Sequence, residues 1–343
     1  MSVKTLSSHL LLPKGATVFS GIQPTGLFHL GNYFGAIKTW TQLQTPNSYF
    51  FTADLHSLTV PQQYQELSMQ RTQAMASILA CGVDPNVACV YHQSQVPEIT
   101  KLQWILSCFT SMGQLNRMTQ FKSKSSIHSP MGEAGLGLFS YPVLMAADIL
   151  SVRATHVPVG QDQGQHLELT RDIVQRFNKA VGNEYFEEPV TVYTPTKRIA
   201  SLKQPQKKMS KSDPNALGKI FINEDPEAIR KKFNKATTDS IEGISLDWEG
   251  RPGISNLITI LAACQNLEVL EVAATVADWS KQQLKEAVAE VVIKELDEPK
   301  RRYNEYMANL DEVERIANEG KERARARASE TVAEVSRLVG MGY

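Results

Sequence analysis

Two stretches, Gly21-Ile22-Gln23-Pro24-Thr25-Gly26-Leu27-Phe28-His29-Leu30-Gly31-Asn32 and Lys208-Met209-Ser210-Lys211-Ser212, carry most of the information in this chain of 343 residues. The first follows an apolar run, Thr17-Val18-Phe19, and opens a periodic segment at Tyr33, which predicts a strand, a tight glycine turn and a helix start. Such a turn places backbone amides and the positive end of a helix where a polyanion can dock. Gly21, Gly26 and Gly31 allow close approach to phosphates, and Gln23, Thr25, His29 and Asn32 supply side-chain hydrogen bonds. Taken alone, the glycines fit an ordinary strand-to-helix turn equally well. Neither G-x-x-x-x-G-K-[ST] nor G-x-G-x-x-G occurs in it, so a Walker loop or a dinucleotide fingerprint does not explain it. The second stretch lies in a polar, proline-bearing connector, 202–214, that reads as a mobile loop. Two lysines three apart with serines between them suit a loop that closes on a triphosphate and offsets charge on departing pyrophosphate.

Apolar runs at 16–22, 48–53, 88–93 and 155–159 alternate with helical periodicity after Gly31 and over 62–81, 98–121, 143–151 and 163–181. Alternating strands and helices predict a parallel sheet with crossovers, whose ligands bind at the carboxyl ends of the strands. Beyond Pro214 the strand signals fade, and 226–235, 255–264, 280–296 and 311–339 read as helices. The expected fold class is α/β: a Rossmann-like parallel-sheet nucleotide-binding domain followed by an all-helical C-terminal domain. Expected boundaries are an N-terminal tail over 1–17, a sheet domain over 18–213 and a helical domain over 214–343. The sheet domain would include a connecting region at about 98–140 and a loop at 203–213.

The paired signatures resemble those of class I aminoacyl-tRNA synthetases, His29-Leu30-Gly31-Asn32 standing for the first and Lys208-Met209-Ser210-Lys211-Ser212 for the second. Asn32 stands where that class usually has His, a variant at home in its tryptophanyl members. Tyr141-Pro142-Val143-Leu144-Met145-Ala146-Ala147-Asp148-Ile149-Leu150 and the segment from Val157 to Asp172 are similar to tryptophanyl-tRNA synthetases of the bacterial and mitochondrial type. The resemblance runs from about Val18 to the C-terminus. It implies activation of L-tryptophan by ATP to tryptophanyl-adenylate and pyrophosphate, then transfer to tRNA(Trp), with Mg²⁺ bound with ATP and no metal held by the protein. It also implies a homodimer, no membrane partner, and an anticodon-binding role for the helical domain.

Carried over by resemblance, Lys208, Ser210, Lys211 and Lys124 are catalytic. Lys124, in the Ser- and Gly-rich loop 122–138, is either an ATP ligand or a solvated charge. ATP would be held by Gln23, Pro24, Thr25, His29, Gly31, Asn32, Gly160, Gln161, Asp162 and the loop residues through Ser212. Adenine would sit against Ile199 and Met209, and the ribose against Gly160 and Asp162. Indole N–H only donates, so a selective site needs one buried acceptor at the end of an apolar slot. Asp148 fits that role, with Phe19, Met145, Val157 and Val159 lining the ring. A cap or a buried salt bridge is the other reading of Asp148. Tyr141 and Gln163 would hold the α-amino group. His56 lies near the carboxylate or is a core histidine. A residue without an indole donor would leave Asp148 unsatisfied, so no editing domain is required.

Composition bounds the alternatives. At 42% hydrophobic and 21% charged residues the chain suits a two-domain globular protein, and no apolar run reaches the length of a membrane span. Four cysteines without a C-x-x-C pair argue against zinc and for a reducing compartment. Zero net charge hides an asymmetry: 18 basic against 13 acidic residues up to Asp213, 18 against 23 beyond it. RNA binding must therefore rest on local patches, with Arg230, Lys231, Lys232 and Lys235 as one candidate and Lys321, Arg323, Arg325 and Arg327 as another, unless both are solvated helix faces. The helix from Glu98 carries Leu102, Ile105, Leu106, Phe109 and Met112, a core stripe by default and a subunit interface by resemblance. The acid-free start up to Thr17 reads as a transit remnant or a short disordered tail. The mitochondrial matrix is the expected location, with a bacterial cytoplasm as the alternative. Competing functions are a tyrosyl-tRNA synthetase, a non-catalytic RNA-binding relative and another nucleotidylyltransferase.

Overall fold

Four near-continuous apolar runs form strands, as burial on both faces of a parallel sheet requires. A computed structural model describes residues 4–5, 12–61, 63–122, 135–193, 199–211 and 213–342, with side chains from residue 12 onward. Its strands are β1 (Lys4–Thr5), β2 (Val18–Ile22), β3 (Ser48–Thr52), β4 (Cys89–His92), β5 (His156–Val159) and β6 (Val190–Tyr193). All pair in parallel, in the order β1-β6-β5-β2-β3-β4. β6 carries too short an apolar run to stand out in the sequence. Lys4–Thr5, within the expected tail, pairs with Val192 and Tyr193 at the sheet edge.

Thirteen described helices follow the expected plan: α1 (Leu30–Asn32), α2 (Lys38–Leu43), α3 (Asp54–Ser57), α4 (Tyr64–Ala80), α5 (Glu98–Ser107), α6 (Met112–Asn116), α7 (Leu136–Ser151), α8 (Gly164–Val181), α9 (Pro226–Asn234), α10 (Pro252–Gln265), α11 (Val269–Thr275), α12 (Lys281–Ala308) and α13 (Leu310–Leu338). A π turn, Tyr33–Ile37, joins α1 to α2. The single helix expected over 98–121 is broken into α5 and α6. Conversely, α7 and α12 run through Pro142 and Pro299, where periodicity alone places a boundary. Among the described residues no single helix is long and apolar enough to cross a membrane.

Strand side chains alternate between faces, so neighbours along a strand serve different cores. Val18, Phe50 and Val90 face one cluster, where Trp40 stacks on Phe50 at 4.7 Å and Leu257, Leu261, Val288 and Val292 arrive from the C-terminal helices. Phe19, Phe51 and Tyr91 face the other, with Val143, Ile149 and Phe177. Ala324, Ala328, Val332 and Val335 of α13 complete that second cluster. The C-terminal helices therefore contribute to the clusters on both faces of the sheet while also packing on one another.

The candidate basic patches are largely spent inside the chain. Arg325 pairs with Glu98 at 3.0 Å, Arg323 donates to the carbonyls of Pro85 and Ala88, Arg327 donates to Val152, and Lys321 pairs with Glu322. Arg230 pairs with Glu227 and Glu290, and Lys232 with Glu224. Of the α5 stripe, Leu102, Ile105 and Leu106 are buried within the chain, so the subunit-interface reading fails for them. Phe109 is half-buried against Phe177, and Met112 stays exposed.

Gly320 is where α13 seats on the sheet: a Cβ there would lie 1.8 Å from the Val90 carbonyl oxygen, backbone that cannot yield. Gly320→Ala should therefore destabilise the protein by about 1–3 kcal/mol through overpacking. Urea unfolding checks this, and an unchanged midpoint would mean that α13 does not press on β4 as described.

Candidate active site

The strand order reverses between β5 and β2, the switch point where a doubly wound sheet opens a crevice at its carboxyl ends. The turn after β2 enters this crevice from one side and the segment after β5 from the other. Gly21, at the end of β2, leaves room for the Phe51 ring, which a Cβ would approach to 2.3 Å. Gly26 adopts φ +81°, and a Cβ there would fall 2.5 Å from Lys211 Nζ. Lys211 Nζ donates to the Thr25 carbonyl, so two signatures 186 residues apart meet in one place. Partial burial beside Lys219 draws the Lys211 ammonium below its ordinary pKa, against the opposing pull of Glu66.

His29 organises the first signature. Its Nδ1 accepts from the Gly31 N–H at 3.0 Å, and its own N–H donates to Asn32 Oδ1 at 3.1 Å, a reciprocal capping box. Asn32 thus closes the cap from the position where a histidine is usual. Burial, with the charges of Lys208 and Lys219, brings the His29 imidazole down to about 4, so it stays neutral and able to accept. The Gly31 and Asn32 amides, expected to face phosphate, are taken up by His29. Gln23 and Thr25 remain exposed, and Pro24 is buried.

The second signature is a closed turn. Met209 N–H donates to Ile199 at 3.0 Å and Ser201 N–H to Lys207 at 2.9 Å. Lys219 Nζ, which sequence reasoning missed, donates to the carbonyls of Lys211 and Asp213 and holds the turn from below. Lys208 and Lys211 are exposed and Ser210 is half-buried. Ile199 and Met209, expected to flank adenine, have side chains enclosed by protein.

On the other side of the crevice, α7 presents Asp148 at 1% exposure. Gln93 Nε2 donates to its two carboxylate oxygens at 2.7 and 2.8 Å, and His56 Nε2 lies 2.9 Å from Oδ2. Burial pushes the Asp148 carboxyl up from its usual range, and the bonds from His56 and Gln93 pull against that shift. His56, expected beside a substrate carboxylate, is instead a partner of Asp148. Gln93 was not anticipated, although a polar residue straight after an apolar strand run was a usable signal.

Tyr141, two turns before Asp148 on α7, has its hydroxyl 3.0 Å from His166 Nε2. His166 Nδ1 lies 3.0 Å from Gln163 Oε1, and Gln163 Nε2 donates to Asp162 at 3.1 Å. Gln120 Nε2 donates to the Asp162 carbonyl at 3.1 Å, which draws α6 and the segment after it toward the site. Phe19 and Val157 are buried beneath the crevice, Met145 and Val159 half-buried, and Gly160 and Asp162 exposed. Lys124, Ser212 and the Gln161 side chain lie outside the described residues. Among the described residues no group of three or more His, Cys, Asp or Glu could hold a metal ion.

Residues 14–297 match the family of class I tRNA synthetases (W and Y). The chain is 46% identical over 348 residues to the mitochondrial tryptophan–tRNA ligase of Saccharomyces cerevisiae, covering 96% of this chain and 92% of that protein. The tryptophanyl-tRNA synthetase of Mycoplasma pneumoniae superposes with a TM-score of 0.85 at 35% identity, over 95% of this chain and 97% of that one. That of Campylobacter jejuni, solved with ADP and tryptophan, superposes with a TM-score of 0.76 at 32% identity, over 94% and 99%.

The depressed His29 value sets a direction for pH dependence. An unfolded histidine titrates near 6.5, so between that pH and about 4 the unfolded chain binds a proton that the folded one refuses. The His29 contribution to stability is fully present above pH 6.5 and is lost as pH falls to about 4; buried His92, also at about 4, acts in the same window. His29→Asn should remove about one proton of this dependence. Urea midpoints across the window measure it, and an unchanged slope would mean that His29 takes up its proton while folded.

Proposed function

Because the chain belongs to the class I tRNA synthetases of the W and Y type and is a tryptophan–tRNA ligase, we propose that its crevice divides the work between a nucleotide half at Gln23 to Asn32 with Lys208 to Lys211 and an amino-acid half at Asp148. The observation that carries this reading is the contact of Lys211 with Thr25 across from a buried, hydrogen-bonded Asp148. The tryptophan carboxylate attacks the α-phosphorus of ATP, a new P–O bond forms, and the bond to pyrophosphate breaks. A terminal ribose hydroxyl of tRNA(Trp) then takes the aminoacyl group. No side chain need form a covalent intermediate. Lys208 and Lys211 offset charge on the departing pyrophosphate, and Ser210, Gln23 and Thr25 orient the phosphates.

Asp148 accepts the indole N–H over a floor of Phe19, Val157, Met145 and Val159. Tyr141 and Gln163, already joined through His166, receive the α-amino group. Gly160 and Asp162 contact the ribose. Mg²⁺ enters as part of the MgATP substrate, held by phosphate oxygens. Lys211→Ala should slow tryptophan-dependent ATP–pyrophosphate exchange by about 10²–10³ in kcat with little change in tryptophan KM. Asp148→Ala should instead lose tryptophan selectivity. Exchange driven by tyrosine in the wild type, or equal turnover in the Lys211 variant, would overturn the assignment.

Trp104, Met112 and Leu136, on α5, α6 and α7, are 71%, 74% and 77% exposed, and this apolar surface supports a homodimer in which a second copy covers it. Sedimentation should give a dimer for the wild type and a monomer for Trp104→Glu; a monomeric wild type would refute it. Similarity to a mitochondrial ligase at 46% identity supports the mitochondrial matrix, with a bacterial cytoplasm as the alternative. Import of the full chain into isolated mitochondria distinguishes the two.

A further inference from the structure

β3 and β4 end side by side, with Thr52 in register with His92, and each strand delivers one partner to Asp148. His56 lies on α3, just beyond β3, and Gln93 directly follows β4. One buried carboxylate fastens these two loops together. Asp54, 3% exposed, accepts at Oδ1 from the backbone N–H groups of Ser94 at 2.9 Å and Leu55 at 3.1 Å. Its Oδ2 accepts from the Ser94 hydroxyl at 2.6 Å and lies 2.7 Å from Nε of Arg71, on α4. Removing that guanidinium would leave a charge buried without its counter-charge.

The Leu55 N–H is shared, since it also donates to Gln93 Oε1 at 3.1 Å. That bond decides which way the Gln93 amide faces. With its oxygen on Leu55, its nitrogen must point at Asp148, where it donates to both carboxylate oxygens. A flipped amide would set oxygen against carboxylate and leave Asp148 with a repulsive neighbour. The chain of contacts runs from Arg71 through Asp54 to Leu55 and Ser94, then to Gln93 and His56, and ends at Asp148.

We propose that Asp54, seated by Arg71, is a positioning residue for amino-acid selection: it ties the loops after β3 and β4 so that Gln93 and His56 hold Asp148 as an acceptor for the indole N–H. Asp54 touches no substrate itself. The inference rests on the reading of Asp148 as the indole acceptor.

The test compares ATP–pyrophosphate exchange driven by tryptophan with exchange driven by its analogue in which sulfur replaces the indole N–H. A merely loosened site would lose activity on both substrates alike, whereas a misoriented Asp148 loses the preference between them. The full chain is assayed as wild type, Asp54→Asn, Ser94→Ala and Asp148→Ala. Asp54→Asn and Ser94→Ala should each lose about tenfold of the preference for tryptophan, mainly through its KM, with the KM for ATP within about twofold of wild type. Ser94→Ala removes a single hydroxyl and keeps the test decisive if Asp54→Asn does not fold. If both variants fall equally on the two substrates, Asp54 is only structural and the inference is wrong. If the wild type shows no preference, or Asp148→Ala keeps it, the reading of Asp148 falls first and the inference falls with it, a pattern distinct from failure of Asp54 alone.

Discussion

A carboxylate at 1% exposure constrains everything built around it. Left alone, Asp148 would meet the cost of burying a charge by taking up a proton and turning from an acceptor into a donor. Donors must therefore reach it from elsewhere in the fold, and they come from the carboxyl ends of two adjacent parallel strands. This makes the register of β3 against β4 part of the site, because a shift of one residue would turn the alternation of both strands inside out. It also sets the seat of α7, whose Ala146, Ala147, Ile149 and Leu150 are buried and bring the carboxylate to the crevice.

The nucleotide half depends on the helices that follow the sheet in sequence. Glu295 of α12 accepts from the Tyr33 hydroxyl at 2.7 Å and pairs with Lys38 at 2.8 Å. Both partners belong to the helical run that His29 and Asn32 begin, so the C-terminal helices anchor the first signature. Asn256 of α10 does the same for the second, exchanging hydrogen bonds with the backbone of Ala200. Residues 28–30 make the remaining link: the Leu30 N–H donates to the Ile220 carbonyl, and the Ile222 N–H donates to the Phe28 carbonyl. The region after residue 213 thus holds both signature segments in place, through hydrogen bonds that no single element could supply.

Strands and helices with strong periodicity were legible, because their burial is dictated locally. β2 to β5 lie inside the apolar runs, and α8 and α9 end within a residue or two of their expected limits. Asp148 stood out as a charge inside an apolar helix. Gln93 and Asp54 did not, since their importance arises from partners 55 and 40 positions away that only the parallel pairing brings together. His56 was named from the sequence, but its partner Asp148 lies 92 positions away and was not legible as such. Ile199 and Met209 mark the opposite limit: both are buried while Lys208 and Lys211 are exposed, an orientation that the motif alone does not give.

Arginine usage in the C-terminal third follows from that packing. Arg301, Arg315 and Arg337 each pair with carboxylates three or four residues away, exposed contacts that solvent screens and that contribute little to stability. Arg323, Arg325 and Arg327 reach across to the carbonyls and carboxylate beneath α13. Arg325 and Arg327 thereby meet carboxylates, of Glu98 and Glu330, while Arg323 meets only backbone carbonyls. Each of these three guanidinium groups thus spends part of its five-donor capacity within the chain. Lys231 and Lys235 on α9 are exposed, as are Lys207 and Lys208 beside the crevice. Exposed cations therefore lie both beside the crevice, at Lys207 and Lys208, and along the C-terminal helix, at Arg315 and Arg337.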